Sequence, residues 1–238
     1  MDNKIYIDRF MGVLTEDERE EYKDIEVQVI LDGEHVLDEG LYVVGGGAKV
    51  SIPDPGYDTN VLVVDHGQLR TNGYNGNPYV LVEDNGFVDI DFGGRVMAKG
   101  NARVNAAWGV FLYTYENAAS RSTDCYVEMY ENSVGEIYDC KRADIYDNAV
   151  AHVEGMGHIR CRDQSKSYVK DCNWVDAFGD AEVVASGASK VDAWRRAKVD
   201  ARDSSTVRLY HDAVCEPAED GNVAVFKREG NPWDYDRR

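Results

Sequence analysis

The sequence predicts an all-β protein wound as a parallel β-solenoid with about 16 residues per coil, and three features predict it. From Val127 the chain divides without a gap into eight-residue units: VEMYENSV, GEIYDCKR, ADIYDNAV, AHVEGMGH and onward to CEPAEDGN. First and third positions are mostly Val, Ile, Ala, Met or Leu. Fifth and sixth are mostly Asp, Glu, Gly, Asn or Ser, so each unit reads as a short strand and a bend. Alternate units then differ from their neighbours, which makes the true period two units.

The alternation is plain at three positions. The fourth position of one set holds Tyr115, Tyr130, Tyr146, Arg162, Phe178, Trp194, Tyr210 and Phe226, whereas the other set holds Ala107, Tyr138, Glu154, Lys170, Ser186, Arg202 and Ala218. At the sixth, Asn117, Asn132 and Asn148 alternate with Cys125, Cys140, Met156 and Cys172, and the seventh position of the first set is always small, as at Ala118, Ser133 and Ala149. A meander of identical hairpins has no reason to alternate; a flattened coil of two strands and two different turns does. Stacked coils bring matching positions about 4.8 Å apart. Asn117, Asn132 and Asn148 are expected to share side-chain amide bonds at one turn.

The elements follow in order. Residues 1–40 read as an N-terminal cap: Thr15-Glu16-Asp17-Glu18 is a capping box opening a short helix to about Lys23, and IEVQVILDGEHVL reads as a hairpin turned at Asp32-Gly33. The solenoid spans 41–228. It is irregular to residue 79, where Gly45–Gly47 and Pro53-Asp54-Pro55-Gly56 mark turns and VLVVDHGQ and LRTNGYNG are degenerate units, and regular from Val80. One residue is missing around Ser120–Tyr126, where the register slips. Pro217 breaks the pattern, and 229–238 form a charged, aromatic C-terminal cap.

Composition bounds the function. The 238 residues carry 44 acids against 26 bases, a net charge of −18, with 43% hydrophobic residues and 15 Tyr, which excludes a disordered acidic tail. There is no apolar run of membrane-spanning length and no secretory pattern at MDNKIYIDRF, and five cysteines without CxxC pairing indicate neither a disulfide framework nor a zinc site. The expectation is a reduced cytoplasmic protein, in the bacterial host cytosol on the resemblance below, and either a monomer or a homo-oligomer. Such acidity repels nucleic acid and anionic membrane and favours a basic protein partner.

No phosphate-loop, zinc-protease, nucleophile-elbow or EF-hand pattern occurs, so no enzyme activity, cofactor or metal is expected. Asp139, Asp171 and Asp203 share a turn column but alternate with Gly155 and Gly187, which spaces the carboxylates too far apart for one ion.

Two features are candidates for partner binding. The first is an outward strip of Tyr115, Tyr130, Tyr146, Phe178, Trp194 and Tyr210, flanked by Asp144, Asp176 and Asp192 among the neighbouring outward positions. Stacking between coils would account for the same aromatics without any partner, and sugar stacking is a further use. The second is the segment 16–39, whose eleven acids and two bases give −9, half the excess of the chain; Glu16, Asp17, Glu18, Glu20, Glu21 and Asp24 lead it.

The units VDARDSST, VDAWRRAK and VVASGASK resemble octapeptide-repeat proteins of the A-T-V-x-A-x-D/G-S kind, associated with gut bacteria and their prophages, over about residues 80–228. In architecture alone the chain is similar to acidic pentapeptide-repeat solenoids that mimic DNA and inhibit gyrase; the five-residue period is absent. These resemblances imply a phage-encoded inhibitor, such as an anti-CRISPR, that blocks a nuclease, CRISPR effector or other nucleic-acid-binding host enzyme. A structural or adhesive solenoid, part of a phage particle or polymer-forming, and a glycan-binding module are the alternatives.

Overall fold

An apolar–polar alternation interrupted by a bend every eighth residue leaves room only for strands of three to five residues, and that is what the chain forms. The computed structural model describes residues 7–8, 11, 16, 19–20, 26–38, 40–53, 59–72, 77–155, 157–219 and 221–228. The chain divides into two compact units, 1–113 and 114–238. Each is a parallel β-solenoid.

In the first unit the strands are β1 (Gln28–Ile30), β2 (Glu34–Val36), β3 (Leu41–Val44), β4 (Lys49–Ile52), β5 (Asn60–Val63), β6 (Gln68–Thr71), β7 (Tyr79–Val82), β8 (Phe87–Ile90), β9 (Arg95–Ala98) and β10 (Arg103–Ala107). Odd strands pair in parallel in one sheet and even strands in another. The expected hairpin is therefore not formed. β1 pairs with β3 (Gln28↔Tyr42) and β2 with β4 (Glu34↔Lys49), so residues 28–36 make the first coil, and Asp32-Gly33 is a coil corner. The physical reason is that β1 and β2 each gain a full parallel ladder from the following coil, where a hairpin would offer one ladder between two three-residue strands.

The irregular region has a simple origin. Leu41 pairs with Asn60, and Asn60 with Tyr79, steps of 19 residues, whereas Tyr79 pairs with Arg95, a step of 16. The excess of three falls each time at one corner, in connections 53–59 and 72–78, against four residues at 91–94. Asp54-Pro55-Gly56 lie outside the described residues. β3, β5 and β7 are buried on both faces apart from half-buried Tyr79. Leu41, Val43, Leu62, Val64 and Leu81 form a cluster against which Met11, Val27, Val29 and Leu31 pack. Their continuous apolar runs, LYVV, NVLV and YVLV, are the signature of a doubly covered parallel sheet. Ile7, Asp8, Met11, Glu16, Arg19 and Glu20 are helical; the remaining capping-box residues and 229–238 lie outside the described residues.

At the division stands β11 (Phe111–Thr114). The second unit continues with β12 (Ala119–Thr123), β13 (Tyr126–Met129), β14 (Val134–Tyr138), β15 (Arg142–Ile145), β16 (Val150–Glu154), β17 (His158–Cys161), β18 (Lys166–Lys170), β19 (Trp174–Ala177), β20 (Glu182–Ser186), β21 (Lys190–Ala193), β22 (Lys198–Ala201), β23 (Thr206–Tyr210), β24 (Val214–Pro217) and β25 (Ala224–Arg228). Val127↔Ala143, Ala143↔Ile159 and Ile159↔Val175 fix the step at 16, and Ala119↔Val134 is a step of 15 at the expected slip. First and third positions face inward and are buried, from Val127 and Met129 to Val199 and Ala201. Size is matched across the gap: a Cβ on Gly135 would lie 2.8 Å from Met129 Sδ, so the glycine makes room for the methionine.

The two corners explain why the period is sixteen. After odd strands the turn has four residues, as in 130–133, and closes with Ser133 N–H donating to Tyr130 C=O at 3.2 Å. Its seventh-position residue is buried, which admits only the Ala and Ser found there. After even strands the turn has three residues, as in 139–141. In both, the fifth position is left-handed: φ is 58° at Glu131, 54° at Asp147, 60° at Asp163, 46° at Asp139 and 55° at Asp171. Asp and Gly tolerate that region better than most residues, which accounts for part of the acid in the turns.

Bonding between coils at these turns differs from expectation. The bridging side chains are carboxylates at the fifth position rather than amides at the sixth. Glu116 N–H donates to Glu131 Oε2 at 2.7 Å, Glu131 N–H to Asp147 Oδ2 at 3.1 Å, and Gly187 N–H to Asp203 Oδ2 at 2.9 Å. Asp171 Oδ1 accepts from Ala188 N–H at 2.8 Å, and a Cβ on Gly187 would fall on that same oxygen. The Asp–Gly alternation is thus steric: each carboxylate folds over the glycine of the next coil. Gly187→Ala is expected to destabilise the protein by about 2 kcal/mol, from the left-handed backbone (φ 62°) and the displaced carboxylate. Urea denaturation reads this, and a loss below about 0.5 kcal/mol would contradict the account.

Candidate functional site

The outer face of the odd-strand sheet in the second unit carries three rows of side chains. Along its corner, Tyr115, Tyr130 and Tyr146 stack face to face with centroids 4.9 and 4.8 Å apart and planes within 5°. The Arg162 guanidinium lies 5.6 Å from both the Tyr146 and Phe178 rings, continuing the stack through a cation. Phe178 stacks on Trp194 at 6.0 Å, and Trp194 on Tyr210 at 3.7 Å. Residues sixteen apart therefore do lie over one another. Phe226 leaves the column, because the last coil takes 18 residues: Arg208 pairs with Phe226, and Tyr210 with Arg228.

This geometry decides what the ladder offers. Tyr210 is buried and the other rings are half-buried, with their faces turned to each other. Edges and hydroxyls remain for a partner; a sugar finds no free face on Trp194.

The second row, Glu128, Asp144, Arg160, Asp176, Asp192 and Arg208, brings the three expected carboxylates onto one face, but each already has partners. Asp144, 1% exposed, accepts from Arg142 Nε at 2.8 Å, with Arg160 Nε 3.9 Å away. Asp192, 5% exposed, is held by both Arg208 nitrogens. Asp176 accepts from Trp174 Nε1 and pairs with His158 Nε2, both at 2.9 Å. Buried ions persist when paired and hydrogen-bonded, and that is the role these acids fill. Next to them, the Tyr130 hydroxyl donates to Glu128, and burial together with that carboxylate pushes its pKa upward.

The third row begins each strand with Tyr126, Arg142, His158, Trp174 and Lys190. It was not among the expected site residues. Its signal lay in the eighth position of alternate units, where large residues recur beside a turn. Trp174 and Tyr126 are exposed.

A column of exposed acids sits at the corner beyond the ladder. Glu116, Glu131, Asp147 and Asp163 follow one another in successive coils and are exposed, beside Asn117, Asn132 and Asn148. Among the described residues, Glu131, Asp147 and Asp163 have no cationic partner within 4 Å. Elsewhere opposite charges in adjacent coils pair, as Lys166 and Lys198 do about Glu182 and Lys170 does with Glu154. In the first unit Glu16, Glu20, Glu26, Asp32, Glu34 and Asp38 are exposed; Asp17, Glu18, Glu21 and Asp24 lie outside the described residues.

The five cysteines are free thiols. Cys125 donates to Thr123 C=O at 3.2 Å and Cys161 to Ser167 Oγ at 3.1 Å. Burial pushes the Cys140, Cys161 and Cys172 thiols up to about 12, so at neutral pH they are buried hydrophobes rather than nucleophiles. Among the described residues no three His, Cys, Asp or Glu side chains converge to hold a metal.

The fold and these surfaces define a repeat-built parallel β-solenoid. Comparison with known protein families, curated proteins and solved structures finds no match.

Proposed function

We propose that the chain is a non-enzymatic binding protein that presents carboxylates to a basic, nucleic-acid-binding partner. The observation that carries this reading is the exposed corner of Glu131, Asp147 and Asp163, at a spacing of about 4.8 Å and, among the described residues, lacking the cations that neutralise acids elsewhere on the second unit. Backbone geometry does not require those charges. Asn would occupy a left-handed turn as well, and an uncharged amide oxygen of Asn or Gln would accept the same inter-coil N–H bonds. Like charges stacked on adjacent strands repel, so the column is held against its own electrostatics. A row of carboxylates complements Arg and Lys lining a groove built for phosphates.

The octapeptide-type repeat supports the narrower reading, a phage-type inhibitor acting in the bacterial cytosol on a nuclease or CRISPR effector. The test is affinity capture from host lysate at increasing salt, wild type against the triple variant E131Q/D147N/D163N, which keeps oxygen acceptors and removes three charges. Wild type is expected to retain a nucleic-acid-binding protein, with capture falling steeply with salt and at least about tenfold in the variant. Equal capture by both proteins would refute the reading. The variant is expected to be more stable at low salt by about 0.5–1 kcal/mol, a gain that fades at high salt.

A second reading, a self-assembling structural solenoid, is favoured by one observation: β25, the last strand among the described residues, exposes Val225 (38%) and Phe226 (51%). Filaments in negative stain would support it.

A further inference from the structure

The ladder rings are closed to ligands, but Trp174, one of the exposed aromatic rings of the second unit, stands beside a gap among the described residues of the solenoid wall. Lys141, Gly157 and Asn173 occupy equivalent places in three successive coils, each just before the paired residues Arg142, His158 and Trp174. The middle coil has no side chain there, and a Cβ on Gly157 would collide with the Cys140 carbonyl oxygen. The result is an open groove of about 820 Å³ lined by Asp139, Lys141, Gly157, His158, Asn173 and Trp174. Its walls, two coils apart, stand about 10 Å from one another.

Trp174 is 48% exposed yet held in place. Its indole N–H donates to Asp176, which also holds His158; the His158 ring meets the indole edge-on with centroids 6.3 Å apart and the Arg208 guanidinium sits 5.4 Å over it, so the exposed remainder of the ring is the part a ligand can cover. The platform is oriented before any ligand arrives. Groove charge does not select an ion, since the groove carries both the Asp139 carboxylate and the Lys141 ammonium, the latter 3.7 Å from Asp124. A purely aliphatic ligand would desolvate Asp139 and Asn173 without replacing their hydrogen bonds. What remains is a flat apolar surface bordered by acceptors and donors, the complement of a pyranose ring with its C–H face and its rim of hydroxyls.

We propose that the groove over Gly157 is a binding subsite for a neutral sugar ring, with Trp174 as its stacking platform and Asp139 and Asn173 as its hydroxyl partners. This is independent of the acidic corner and goes beyond the proposed function.

The experiment is a glycan array carrying neutral cello-, malto- and chito-oligosaccharides, probed with the full chain, followed by calorimetric titration of the best ligand. At least one neutral oligosaccharide is expected to bind. Trp174→Ala should weaken it at least about tenfold, Trp174→Phe less, and Trp108→Ala, which removes an exposed tryptophan of the first unit, not at all. Circular dichroism checks that the variants retain the fold. Absence of any neutral glycan bound at millimolar concentration, or unchanged affinity in Trp174→Ala, would overturn the proposal.

Discussion

Replacing Trp194 by alanine is expected to lower the free energy of unfolding by about 3 to 4 kcal/mol, measured by urea denaturation. The indole is stacked 3.7 Å from Tyr210 and 6.0 Å from Phe178, and its Nε1 is enclosed within the protein. Truncation leaves a ring-sized gap between two coils that are held apart by their backbone ladders and so close only partly. Trp194→Phe, which keeps a stacked ring, should lose about 1 kcal/mol. If Trp194→Ala cost less than about 1 kcal/mol but abolished partner capture, the ladder would be a contact surface rather than the spine assigned to it here.

A steep alkaline loss of stability is expected as well. The Cys140, Cys161 and Cys172 thiols ordinarily lose their protons near 9 but are pushed up to about 12 by burial. Between those values the folded chain holds protons that the unfolded chain has released, so stability is complete below pH 9 and falls as pH rises toward 12. Each thiol contributes about 1.4 kcal/mol per pH unit at most, or about 4 kcal/mol per unit for three. Half-buried Tyr130 and Tyr146, whose hydroxyls are also pushed up, act in the same direction. Denaturation midpoints at pH 8, 9.5 and 10.5 should therefore fall progressively, and a variant with alanine at all three cysteines should flatten the curve. Constant stability to pH 11 would contradict the assignment of these thiols to the interior.

Much of this was legible in the chain, because a solenoid turns tertiary neighbours into a sequence period. Tyr130 over Tyr146, Ala and Ser at the seventh position, and the slip between Ser120 and Tyr126 all follow from stacking identical coils, and each could be read by counting. Elements outside the period were read less well. IEVQVILDGEHVL has the local pattern of a hairpin, and only the partners available to β1 and β2 from the next coil make it a corner. The last coil gains two residues, so counting by sixteen places Phe226 over Tyr210, two positions from its true partner Arg208.

Candidate site residues divide in the same way. Counting put Asp144, Asp176 and Asp192 on one outward face, but not whether they were free, since that depends on which side chain of the same strand or of a neighbouring coil reaches them. Arg142 does so from the same strand and His158 and Arg208 from neighbouring coils, so each of the three carboxylates is already engaged. The acids that stay open lie one corner further on, at Glu131, Asp147 and Asp163. Trp174 and Trp194 are both large aromatics in a repeat unit; one stands open beside Gly157 while the other is enclosed by Phe178 and Tyr210. Periodicity thus specifies which residues are stacked, because hydrogen bonding between parallel strands ties spatial order to chain order. Solvent access and charge pairing depend on side-chain reach across neighbouring coils and on gaps left by single glycines, and these exist only once the coils are assembled.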